Sequence, residues 1–505
     1  MLPGVMGAKA RRVGRRASGR QDRPVSEVAG SICGVKTVGR RAPVPRTVVD
    51  HLVLAVAAML GLAVTVSVFQ PGYMSTDTFV QLGQALGKKP LSDWHPPVMS
   101  LFWRGLIAVT GSIASMAVVQ QLVFWMSLWL LSTVVLQTTD SLRWGLSTYL
   151  LALSPVILTF VGVVWKDVQM AFALLAVTAI CVRAPASRRW PWLKWVAFAL
   201  GVLLLAYATL VRKNAIFAIL PLLILLFRSC FGRPTRPQVV LGSAVMVLAL
   251  VVPSTAISTI ARPVQTHQVT QVMLDDLLLV MRPQELSRVD APAPLRAKLS
   301  SAARECAAKG VIIETYWKCY GKGVGGSFTA VAYPDAIVGV WVSEIPRHLA
   351  GYVQYRTRLF MDFLFSNRYF FRDGVIKNDF GLALERPMAK NALKSYVIGW
   401  QQNLPWLFSG WLWLTLNLVL ALRRGPARFR WPVRLLGASG ALYILGYFPI
   451  VAQTDFRYVY WSVISASVGI LLVLVSKHAK EPTPGEPASV TGTHMDKDRN
   501  AVMAS

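Results

Sequence analysis

Four short clusters in this chain gather carboxylates, strong cations or both. The first is Met74-Ser75-Thr76-Asp77-Thr78, continued by Ser92-Asp93-Trp94-His95-Pro96-Pro97. The others are Trp165-Lys166-Asp167, Arg212-Lys213-Asn214 and Gln453-Thr454-Asp455-Phe456-Arg457-Tyr458. A carboxylate can take a proton from a hydroxyl, and a guanidinium can grip an anion through two parallel hydrogen bonds. These clusters therefore suit acid–base work on a negatively charged substrate. Other chemistries lack their signatures. The five cysteines, at positions 33, 181, 230, 306 and 319, form no CxxC pair and have no histidine at metal-ligand spacing, so no zinc or redox centre is indicated. Neither a G-x-G-x-x-G element nor a P-loop is present, and no nucleotide-sugar site is expected.

The elements that must position these residues are membrane helices. Of the 505 residues 54% are hydrophobic and 15% charged, against about 25% charged in a soluble domain. Apolar runs near the roughly 20 residues that cross a hydrocarbon core recur along the whole chain, which excludes a single anchor or a cleaved signal peptide. Candidate spans are 51–69, 115–137, 146–164, 168–183, 195–211, 215–229, 238–258, 401–422, 436–452 and 458–476. The expected fold is thus an all-α polytopic membrane protein of about ten helices. Segment 96–112 is apolar but holds Arg104. Counting it as a crossing would put every later basic loop outside, so it reads as a partial or surface-lying helix.

The net charge of +29 arises from basic loops and arms, not from a nucleic-acid face. Residues 1–49 carry eleven Lys or Arg, including Arg11, Arg12, Arg15 and Arg16, among Gly, Pro and Ser, and read as a disordered cytoplasmic arm. Residues 477–505 read as a disordered cytoplasmic tail. Inward connections hold Arg183, Arg188, Arg189 and Lys194; then Arg228, Arg233 and Arg236; then Arg423, Arg424, Arg428, Arg430 and Arg434; then Lys477 and Lys480. The connection near Arg143 and Asp140 is a weak vote. This asymmetry predicts both termini on the cytoplasmic side of the membrane. The four polar clusters then share the outer face. Arg212 and Lys213 break the positive-inside tendency there, and a bound anion would supply the reason. Taken singly, each charge has a plainer account in snorkelling to headgroups.

Between the N-terminal membrane module (50–260, with a first outer loop at 70–97) and the C-terminal spans (401–476) lies a stretch at 261–400 holding twelve of the 24 acids. It is expected to be a mainly helical extracytoplasmic domain. Helices are anticipated over 284–309 and over Pro334 to Phe365, the second kinked at Pro346 and apolar along Ile337, Trp341, Ile345, Leu349 and Tyr352. Such a stripe reads as core or membrane contact before it reads as a groove. Cys306 and Cys319 are the only cysteines of this stretch, and an oxidising compartment would favour a disulfide between them over two buried thiols.

With Asp77 after the first span, the Trp94-His95-Pro96-Pro97 element, Asp167 in a second outer loop, and Asp455-Phe456-Arg457-Tyr458 after a long outer stretch, residues 50–476 resemble the bacterial GT-C superfamily. The His-Pro-Pro is similar to that of protein O-mannosyltransferases. The resemblance implies a membrane glycosyltransferase that moves a sugar from a polyprenyl-phosphate donor to a glycan, lipid or protein acceptor. It implies Asp77 as general base, Lys166 and Arg212 at the donor phosphate, and Arg457 next to them. Asp167 would position Lys166 or orient the acceptor. His95 would orient substrate or brace its loop, Asn214 would bond sugar or phosphate or merely cap, and Asp93 would cap a loop. Asp455 and Tyr458 complete the pattern. Asp77 lacks the adjacent second acid of many relatives, and with Asp167 makes a thin ligand set, so a divalent cation is left open. Competing readings of the same charges are a transporter or flippase for lipid-linked glycans, without a visible internal repeat, and a polymerase or ligase of such glycans.

Overall fold

In an apolar medium a backbone must satisfy its own polar groups, and this chain does so with helices. The structure is a computed structural model and describes residues 46–184, 191–232, 235–321, 332–366, 368–423 and 428–479. The chain begins with α1 (Arg46–Phe69), α2 (Thr76–Ala85), α3 (Pro97–Thr110) and α4 (Ser115–Thr139). Three short pieces follow, α5 (Leu142–Ser147), α6 (Leu150–Leu153) and α7 (Pro155–Leu158), then α8 (Lys166–Arg183), α9 (Pro191–Val211), α10 (Ile216–Phe231) and α11 (Arg236–Ala256). A second group comprises α12 (Gln268–Val280), α13 (Pro283–Leu286), α14 (Ala293–Ala308), α15 (Pro334–Glu344) and α16 (Leu349–Phe365). The chain closes with α17 (Pro387–Asn403), α18 (Gly410–Leu422), α19 (Arg430–Leu445) and α20 (Tyr460–Lys477). Among the described residues there is no β-strand.

Among the described residues six helices are long and apolar enough to cross a membrane: Thr47–Phe69, Ser115–Thr139, Trp192–Val211, Lys213–Phe231, Arg236–Ala261 and Phe456–Lys477. The anticipated continuous span at 146–164 is instead broken into α5, α6 and α7, because Pro155 removes a backbone donor and disfavours helix at Ser154. The anticipated 401–422 span yields only the 13 residues of α18, since Pro405 ends α17. Segment 96–112 becomes the 14-residue α3, about 21 Å long and short of a roughly 30 Å core. In the anticipated 284–309 helix, residues 287–292 separate α13 from α14. The Pro334–Phe365 helix is interrupted, as expected, around Pro346 by a 3-10 turn at Ile345–His348. That turn rotates the stripe: Ile337 and Ile345 are buried while Leu349 is exposed. The expected disordered arm and tail, with Arg188, Arg189, Arg233, Arg424 and Lys480, lie outside the described residues except at 46–49 and 477–479.

The bundle is built around α8, which packs against α4, α9 and α20, while α18, α19 and α20 pack together and α10 lies against α9 and α19. The smaller group has its own core of Leu274, Leu277, Leu286, Leu295, Leu299 and Ile337. A Cys306–Cys319 disulfide closes its α14 end, as the cysteine placement suggested.

Candidate functional site

The turn after α1 and the approach to α8 meet as extended chain. Tyr73 N donates to Gly162 O and Val164 N to Tyr73 O, both at 2.9 Å. On the other side Met74 N donates to Gly374 O at 2.9 Å and Ile376 N to Met74 O at 3.3 Å. Residues 73–74 are thus sandwiched between 162–164 and 374–376, joining three parts of the sequence. Gly72 is required at this crossing: its φ is +116°, and an added Cβ would lie 2.7 Å from Val164 Cγ2 and 2.9 Å from Ala117 Cβ. Below the crossing, the buried Gln120 amide donates to the carbonyls of Val161 (2.8 Å) and Val163 (3.0 Å). Thr78 Oγ1 donates to Val164 O (2.9 Å) and Trp165 Nε1 to Ser75 Oγ (2.7 Å), so Asp77 is held in the first turn of α2 beside the start of α8. A helix N-terminus favours a negative charge there.

Around this frame the cations alternate with aromatic rings. Arg372 lies 4.7 Å from the Trp165 ring, Arg457 4.8 Å from the same ring and 5.0 Å from Tyr458, and Arg212 5.0 Å from Tyr458. Arg457 Nη1 donates to Asp77 Oδ2 at 3.0 Å, and its Nη2 to the Tyr458 hydroxyl at 3.1 Å. Arg212 Nε lies 3.0 Å from Asp167 Oδ1, and its Nη2 donates to the Tyr447 hydroxyl at 3.1 Å. Arg372 Nη2 donates to Asp455 Oδ2 at 2.9 Å, and Asp455 caps its own turn by accepting from Arg457 N at 3.0 Å. Lys166 Nζ stands 3.4 Å from His95 Nδ1. Burial, then the neighbouring Lys166, push the His95 imidazole down to about 4, so it is neutral at pH 7. Burial would raise the Asp77 carboxyl, but Arg457 and Lys166 outweigh it and hold the group below its ordinary value.

The anticipated residues Asp77, His95, Lys166, Asp167, Arg212, Asp455, Arg457 and Tyr458 are therefore brought together. Asp167 is paired with Arg212 and not with Lys166. Asn214 stands apart, its backbone carbonyl accepting from Ile216 N, and Lys213 is exposed. Asp93 does not cap its own loop but ties it to a distant segment, accepting from Thr266 N at 2.6 Å. Arg372, Trp165 and Tyr447 are site residues that the sequence reading did not assign. Arg372 follows no span and sits among Arg368 and Asp373, so nothing local marks it. The acids differ in access: the Asp77 side chain is 38% exposed, Asp455 18% and Asp167 2%. Asp77 Oδ1 accepts no hydrogen bond from the described residues. No group of three or more His, Cys, Asp or Glu side chains suited to a metal ion occurs among the described residues.

Comparison with protein-family models, with characterised proteins and with solved structures finds no match to this chain.

Proposed function

We propose that the protein is an integral membrane glycosyltransferase that moves a sugar from a polyprenyl-phosphate donor to a glycan, lipid or protein acceptor, with Asp77 as general base. One observation supports this above the rest. Three guanidiniums (Arg212, Arg372, Arg457) and Lys166 gather beside three carboxylates (Asp77, Asp167, Asp455), and of these acids Asp77 is the most exposed, at 38%. An anionic diester fits a site lined by guanidiniums, with its reacting end at the accessible carboxylate. The acceptor hydroxyl gives its proton to Asp77 as its oxygen bonds to the anomeric carbon, and the bond from that carbon to the phosphate oxygen breaks. The cations meet the charge on the departing phosphate. Arg457 links the two events, since it touches Asp77 and stands between Trp165 and Tyr458. Asp167 orients Arg212, and Tyr458 spaces two guanidiniums. Both Asp77 and Asp167 are answered by guanidinium, a donor set that does not suit a divalent cation.

In this reading the chain crosses a bacterial cytoplasmic membrane about ten times, both termini are cytoplasmic, and the site and the 261–400 region lie outside. The ends of α8 and α20 remote from the site carry Arg183 and Lys477, and Arg228 and Arg236 close α10 and open α11 on that same side, as the positive-inside tendency requires.

The test is transfer of labelled sugar from polyprenyl-phosphate donors by purified protein in detergent. Asp77→Asn keeps size and hydrogen bonding but accepts no proton at neutral pH. It should bind donor about normally and lose roughly 10²–10⁴-fold in turnover. Arg212→Ala should mainly weaken donor binding, by about 1.5–3 kcal/mol for a charge-assisted contact. Parental transfer by a normally accumulating Asp77→Asn protein would remove the catalytic assignment and move a transporter of lipid-linked glycans ahead.

A further inference from the structure

The loop between α19 and α20 delivers Asp455 and Arg457 to the site, and it is held almost residue by residue from one side. Arg356 Nη1 donates to Val451 O at 2.9 Å, and Glu314 N to Ala452 O at 3.4 Å. Arg368 Nη1 donates to Thr454 Oγ1 at 3.3 Å, its carbonyl accepts from Phe456 N at 3.2 Å, and Arg372 reaches Asp455. All these holds come from the chain between 314 and 372.

The hold at Val451 differs from the others because its donor is enclosed. The Arg356 side chain is 1% exposed, and its Nη2 lies 2.6 Å from Oδ1 of Asp276, itself 2% exposed. Oδ2 of Asp276 accepts from Trp341 Nε1 at 2.9 Å. The neighbouring Asp275 accepts from Thr315 (2.7 Å) and Tyr320 (2.9 Å), which belong to or adjoin the loop closed by Cys306–Cys319. A buried ion pair contributes little stability that apolar side chains of similar size would not supply. What apolar side chains cannot supply is a donor fixed at one point over the Val451 carbonyl.

We infer that Arg356, anchored on Asp276, is a positioning residue that sets the 451–457 loop so that Asp455 meets Arg372 and Arg457 meets Asp77. The inference deepens the transferase reading, on which its kinetic half rests, and extends the working site into the unit that also reaches this loop through Glu314 N at Ala452 O. An altered packing of α12 against α16 would pass through this guanidinium to Asp455 and Arg457.

Two variants of the full chain separate positioning from folding. Asp276→Asn with Arg356→Met removes both charges and keeps an acceptor for Trp341. Arg356→Lys keeps a charge opposite Asp276 but cannot also reach Val451. In both, hydrogen exchange at the amides of 453–459 should quicken about tenfold or more, the consequence of one lost charge-assisted bond. Exchange in α12 and α14 should stay parental, and turnover should fall more than donor affinity. Unchanged exchange at 453–459 would overturn the inference, and so would faster exchange spread through α12 and α14, which would make Arg356 a structural member of its own unit. Should the parent transfer no sugar, the transferase reading fails while the exchange result still decides whether Arg356 sets the loop.

Discussion

Arg372 and Arg457 share the Trp165 ring, at 4.7 and 4.8 Å, and Arg457 and Arg212 the Tyr458 ring, at 5.0 Å each, so like charges gather here and repel. Each cation–ring contact offsets part of that repulsion, by about 0.5–2 kcal/mol. Arg372→Ala should therefore leave Asp455 with Arg457 alone, whose Nε lies 3.6 Å from Oδ2, and weaken donor binding about 10-fold or more, a loss comparable to that of Arg212→Ala. Titration of donor against the purified variant measures it. His95 makes a pH prediction. The unfolded chain takes up its imidazole proton near 6.5 and the folded protein only at about 4. Between those values the unfolded state binds more protons, so stability present above pH 6.5 is lost as pH falls toward 4. Denaturation midpoints should show that slope, and His95→Gln should flatten it. The span-end clusters were legible because a charge abutting an apolar run stands out. Arg372 was not, because it lies among other charges, and long-range contacts with Met74 and with the 454–456 loop bring it to the site.

At the scale of elements, apolar content located most helices, yet it does not register where a helix breaks. Residues 146–164 are apolar throughout, but Pro155 divides them, and the extended stretch that follows is what receives Tyr73. The same blindness ran the 401–422 span from the last residues of α17 across Pro405 into α18. Two substitutions probe the crossing. Gly72→Ala adds both a left-handed strain and a methyl in contact with Val164, and should cost about 1–3 kcal/mol, read as a lowered thermal midpoint in detergent. Gln120→Leu leaves the carbonyls of Val161 and Val163 without their donor and should cost about 1–3 kcal/mol. If the Gln120→Leu protein melts with the parent, Gln120 does not brace the approach to α8. Reducing Cys306–Cys319, which closes 13 residues, should destabilise its unit by about 3 kcal/mol. In unreduced protein neither sulfur should react with an impermeant thiol reagent.

For the whole molecule, the ends of the helices divide by charge. Reporters active only outside the cell should score after residues 90, 260 and 350 and be silent after 190, 232 and 428. An outer signal after 190 would overturn the orientation and scatter the clusters across two faces. The connection of residues 73–74 to both 162–164 and 374–376, with Arg457 beyond, has a consequence for how the protein is made. Asp77 leaves the ribosome early, but its guanidinium partner Arg457 follows 380 residues later, and synthesis proceeds at about 5–20 residues per second. For that interval the carboxylate waits without the guanidinium that pairs with it. A chain arrested before the loop that precedes α20 can form most of its helices and still lack this pair, so the Asp77–Arg457 contact marks only chains translated nearly to their last described helix.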